Sequence, residues 1–151
     1  MTTSLREQAL AAALTALRTL GVPFTKRTIN YRVKVDSLPA LVQYDGPETA
    51  EKIDNATLHV RTEFTVLALF KAADQDSIGP EADAWVSGVR EALGADPTLG
   101  LGAQGVSEVV YQGCGQPEPL TEDGAGPYGG IPIHFTIERY ESPSSPFAPV
   151  G

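Results

Sequence analysis

In the stretch "LHVRTEFTV", His59, Arg61 and Glu63 fall at alternate positions, so a strand there would put all three on one face. A histidine beside a carboxylate is equipment for proton transfer. To become a catalytic centre it needs a nucleophile or further metal ligands, and the chain offers neither at a readable spacing. The other histidine, His134, alternates with Ile133 and Phe135 on a second apolar run and fits a structural side chain. Cys114 is the lone cysteine. That excludes an intrachain disulfide framework and any multi-cysteine metal site. It stands between two glycines in "GCG", with no neighbouring base to favour a thiolate. The glycines of "LGLGAQG" lack the Lys-Ser/Thr of a phosphate loop, and they follow a helical pattern rather than a strand. The expectation is therefore no enzyme: no catalytic residues, no cofactor and no metal. His59, Arg61 and Glu63 read better as a charged cross-strand ladder or subunit contact.

Charge is distributed unevenly. The 151 residues carry a net charge of −8, which is poor material for gripping phosphate. Residues 1–36 are net +4 and the remainder net −12. Lys26, Arg27, Arg32 and Lys34 form a candidate basic interface patch, and a neighbouring copy's acidic part would complement it. No apolar run approaches the roughly 18 residues of a membrane helix, so no membrane partner is expected. The start "MTTSLREQAL" lacks the pattern of a secretory signal, and synthesis in a cytoplasm is the expectation.

These side chains need elements to hold them. "SLREQALAAALTALRTLG" opens with Ser4 and Glu7 in capping-box spacing. It continues with Leu10, Leu14 and Leu17 on one stripe and stops at Gly21, before Pro23. "TINYRVKV" alternates as a half-buried strand, and "LPALVQY" reads as a deeper one ended by "DGPE". Glu48 to Asn55 reads as an exposed loop. From Thr57 a long strand puts Leu58, Val60, Thr62, Phe64, Val66, Ala68 and Phe70 on one face. A second helix places Ala82, Trp85, Val86, Val89 and Leu93 inward and ends at Gly94. "VSEVVYQ" and "IPIHFTIERY" are the last two strands. Together they predict an α+β fold: two helices packed on a mostly antiparallel sheet of about four to five strands. Residues 1–140 form the single domain, 113–130 a flexible Gly/Pro-rich loop within it, and 141–151 an extended Pro/Ser-rich tail.

The ordered set is familiar. A short amphipathic helix, "LPALVQYDGPE", a long strand ending in "VLALF", a helix ending in "REALGADPTLG", and "VSEVVYQ" before a closing strand resemble the tail terminator proteins of long-tailed bacteriophages. The related minor tail proteins of phage-like gene transfer agents (lambda minor tail protein U-like) belong to the same likeness. It covers roughly Ser4 to Tyr140; loop 113–130 and the tail are not part of it. The resemblance implies a structural virion protein at the tail–neck junction, made in the host cytoplasm. Such a subunit forms a ring, a homo-hexamer, which caps the tail tube protein and ends its polymerisation. The ring also presents a docking surface to the head–tail connector or neck protein. DNA would pass through the lumen without specific binding. His59, Arg61 and Glu63 then become a candidate intersubunit or lumen face.

Three alternatives stay open at this level. A head–tail connector or tail-completion protein shares the size and the ring habit. A small α+β enzyme or ligand-binding module would use His59 and Glu63, with Cys114. A monomer could instead take a peptide onto an exposed sheet edge.

Overall fold

The computed structural model describes residues 3–28, 38–120 and 127–150. Helix α1 spans Leu5–Arg18, and the Ser4 hydroxyl accepts from the Glu7 amide at 3.1 Å, satisfying one of the free donors of the first turn. Its inner face is Leu5, Ala9, Leu10, Ala13 and Leu17. Helix α2 spans Ile78–Gly94 and buries Ile78, Ala82, Val86, Val89 and Leu93. Trp85 is packed at the edge of this core, only partly covered. The alanines facing inward let both helices sit close to the sheet.

The strands are β1 (Phe24–Arg27), β2 (Ala40–Lys52), β3 (Leu58–Lys71), β4 (Val106–Cys114), β5 (Glu118–Leu120), β6 (Tyr128–Ser142) and β7 (Ser145–Pro149). They make one seven-stranded sheet in the order β1-β2-β3-β6-β4, with β5 and β7 also paired to β6. Among the described residues only β1–β2 is parallel; the other pairs are antiparallel. Because β3 occupies one edge of β6 from Tyr128 to Glu141, β5, β4 and β7 line up along its other edge. Both helices lie on one face, against Leu41, Phe64, Val66, Ala68, Phe70, Ile131, Ile133, Phe135 and Ile137. The rings of Phe64 and Phe135, cross-strand partners, stack at 5.4 Å.

The α+β class and its two helices agree with the sequence reading, and the sheet is larger than the four to five strands expected. Three differences have physical causes. β2 does not stop at "DGPE". A bulge between Asp45 and Glu48 absorbs Gly46 and Pro47, and the strand resumes to Lys52 where a loop was expected. Gly46 fits there because a Cβ would lie 2.8 Å from the Glu63 carbonyl oxygen. The loop read at 113–130 contains strand at both ends: Gly113 and Cys114 close β4, Glu118–Leu120 form β5, and β6 starts at Tyr128. The tail is likewise in strand, because β6 runs to Ser142 and β7 folds back onto it. Its prolines are tolerated because β7 is an edge strand. The expected strand in "TINYRVKV", Ile29 onward, lies outside the described residues; the chain before it is β1, paired with β2 from Phe24 to Arg27.

Candidate functional site

β3 carries the sequence-predicted residues as expected from period two. Val60, Thr62, Phe64, Val66, Ala68 and Phe70 are buried, whereas Arg61 and Glu63 are exposed on the face away from the helices. His59 is half-buried. Its ring stacks on Tyr140, its partner on β6, at 4.8 Å, and its Nε2 is buried without a hydrogen-bond partner. Arg61 Nε donates to Glu138 of β6 at 3.0 Å. Thr65 and His134, also register partners, are joined at 3.0 Å between Oγ1 and Nδ1. A shallow depression of about 220 Å³ beside His59 is lined by Thr49, Ala50, Glu51 and Arg61.

His59 and Cys114 do not meet on this face. Cys114 is level with Val66, through Ile133, seven residues along β3 from His59. At about 3.3 Å per residue the two are roughly 23 Å apart along the sheet. Among the described residues no group of three or more His, Cys, Asp or Glu side chains could hold a metal ion. No helix of the described residues is long and apolar enough to cross a membrane.

Of the basic patch, Lys26 is exposed on β1. Arg27 is not a free cation. Its guanidinium grips Asp45 with two bonds, 2.8 Å and 2.6 Å, and pairs with Glu7 of α1. The bonds to Asp45, then to Glu7, raise its pKa above the ordinary range. It therefore fastens α1 to β2. Arg32 and Lys34 lie outside the described residues.

A second polar cluster escaped sequence reasoning. Arg139 is 1% exposed, under the helices at the end of the sheet where β2 resumes after its bulge. Its Nη2 donates to Glu48 Oε1 at 2.7 Å, its Nε to Glu141 Oε2 at 3.3 Å, and its Nη1 to the Thr62 hydroxyl. Thr62 in turn donates to Glu48 Oε1 at 2.6 Å, and Arg6 of α1 approaches the same oxygen at 3.5 Å. The signal was in the sequence: Arg139 and Thr62 occupy the apolar phase of their alternating strands. A polar residue on the buried phase needs partners, and the bulge brings Glu48 to it.

Asp45 is held below its ordinary pKa of 3.8 chiefly by the hydrogen bonds from Arg27. Burial pushes Glu48 upward, but the hydrogen bonds from Thr62 and Arg139 outweigh it and leave the group below its ordinary 4.5. Both carboxylates titrate lower in the folded chain than in the unfolded one. Their stabilisation is therefore complete above the ordinary values and is lost as pH falls through the depressed ones. The urea midpoint should be flat from neutral pH down to about 5 and then fall, and Asp45→Asn should flatten that acid limb.

No family model matches the chain, and no curated protein matches it. Among solved structures, a chain described as the virion of a native gene transfer agent particle is similar, with a TM-score of 0.53 at 18% identity. The match covers 91% of this chain and 95% of that one, so the two share a fold over nearly their whole lengths.

Proposed function

We propose that the chain is a structural subunit of a tailed, phage-like particle, and within it a tail terminator. The observation that carries this reading is the shared fold with a chain of a gene transfer agent virion over 91% of the sequence. A motif or pocket is not what supports it; beside that likeness stands one large sheet with charged side chains on the face that the helices leave uncovered. In this reading the subunits close into a homo-hexameric ring on the finished tail tube. The ring stops addition of tube protein and presents its other side to the head–tail connector. A cyclic ring needs heterologous contacts, one patch against a different patch of the next copy. The acidic excess of residues 37–151 leaves a lumen that would not retain passing DNA.

The test is negative-stain imaging of the protein mixed with polymerised tube protein, beside native mass measurement of the protein alone. The expected result is tubes capped at one end and a mass several times 16.0 kDa. Uncapped tubes with a ring that instead binds the connector would assign the head–tail connector or tail-completion role. A strictly monomeric protein that caps nothing would overturn the assembly reading. His59→Ala separates it from the enzyme alternative, since capping should survive loss of an imidazole that has no catalytic partner.

A further inference from the structure

One end of the sheet is closed by a strand with a weak hold. β7 meets β6 at two register positions, Glu141 with Pro149 and Ser142 with Ser145, and the ladder is irregular between them. β3, by contrast, pairs with β6 without interruption from Leu58 to Lys71. Pro146 and Pro149 have no amide to give, so two of the five residues of β7 cannot donate to a ladder. The Phe147 amide goes to the Ser145 hydroxyl at 3.2 Å, and the Ser144 amide to the Ser142 hydroxyl at 3.3 Å. These bonds lie within the segment and travel with it. Apolar packing adds little: no residue of β7 is buried, and Phe147 is 48% exposed.

What β7 covers is of the opposite character. Glu141 stands between Leu58 of β3 and Pro149 of β7, and it is 7% exposed. It accepts from Arg139 Nε at 3.3 Å, and through Arg139 it joins Glu48 and Thr62. β7 also lies against α1, whose Arg6 reaches the same Glu48. Keeping such a cluster dry costs the hydration of every charge in it, and returning water recovers that cost. An element resists opening chiefly by the apolar surface it buries, and β7 buries little; what its departure wets is charge. Both effects make this strand open before the rest of the sheet.

We infer that β7 is a lid: residues 143–150 swing off β6 as one piece, turning at Ser142 and Pro143, and let water reach the Arg139–Glu141 pair while β3, β6 and β4 stay paired. Such a lid works in a monomer and in a ring alike. The alternation of the ladder supplies a reporter for it. Tyr140 gives its amide to Gly105, at the start of β4. The Ser142 amide points to that same side, toward β7, and the Glu141 amide toward β3. Ser142 thus senses the lid, and the Arg139 Nε–H senses the water beneath it. The amides of Ile133 and Phe135, which face β3 in mid-sheet, sense the core.

The test is hydrogen exchange on the intact protein, followed by NMR without urea and at low urea. After correction for each group's free rate, the Ser142 amide and the Arg139 Nε–H should exchange at least about 100-fold faster than the Ile133 and Phe135 amides. Low urea should leave those two fast rates unchanged, because opening the lid exposes little surface. Ser145→Gly, which removes the hydroxyl that holds the Phe147 amide, should speed both reporters together and leave Ile133 and Phe135 as they were. A Ser142 amide that exchanges with Ile133 and quickens with urea would mean that β7 opens only with the whole sheet, and the lid would be wrong. A fast Ser142 beside an Arg139 Nε–H as slow as the core would mean fraying that never wets the pair, which overturns the inference as well. Native mass of the same samples reads the ring separately. A monomer with fast reporters keeps the lid and sinks the ring; a multimer with slow reporters does the reverse.

Discussion

Arg139→Ala should lower the unfolding free energy by about 3–5 kcal/mol, as expected when one partner of a buried charge network is removed. The guanidinium is 2% exposed and is the cation that Glu141, itself 9% exposed in its side chain, contacts within ion-pair distance. Truncating it takes from that buried carboxylate the guanidinium that balances it, and strips Glu48 and Thr62 of a donor. Arg61→Ala is the control. Its bond to Glu138 is just as short, but the side chain is 55% exposed, and solvent-exposed pairs contribute about 0–1 kcal/mol. Urea unfolding of the two variants checks both expectations. Equal losses would mean that the network under α1 carries no special weight. Adding Glu141→Leu to Arg139→Ala should cost less than the sum of the two, because the second change removes the stranded charge.

Gly105→Ala should be comparably severe, at about 3–5 kcal/mol, for a different reason. Gly105 has φ of +91°, a conformation that penalises any side chain, and a Cβ there would sit 2.3 Å from the Tyr140 carbonyl oxygen. Its own carbonyl accepts the Tyr140 amide at 2.9 Å, so the residue cannot retreat without opening the start of β4 from β6. Gly21 isolates the backbone contribution. It has φ of +71° with nothing within 4 Å of a built Cβ, and Gly21→Ala should cost only about 1 kcal/mol. Thermal or urea unfolding of the pair separates strain from collision.

Much of this architecture was legible. The capping box at Ser4, the apolar stripe of α2 and the period-two face of β3 are local signals, and local signals survive in the folded chain. The continuation of β2 through "DGPE" was not legible, since those four residues are strong turn formers. Their propensity is overridden by the ladder of β3, a partner that the strand cannot announce in its own sequence. The same holds for the tail, whose prolines and serines read as irregular until β6 supplies an edge. Among the candidate residues, the exposure of Arg61 and Glu63 followed from alternation alone. That Arg27 is spent on Glu7 and Asp45 did not, because pairing across 20 and 18 positions is a property of the fold.

The position of β6 between β3 and β4 sets a timetable for folding. β3 and β2 form a local hairpin as soon as Lys71 is made, but the strand that must cover the other edge of β3 begins only at Tyr128. Ribosomes add about 5–20 residues per second, so that edge waits for roughly 3–11 s before its partner exists. During that interval an apolar strand ending in "VLALF" has one side unpaired, the condition under which nascent chains join one another. Soluble yield should therefore depend on synthesis rate and on chaperone supply more than the stability of the finished fold would indicate.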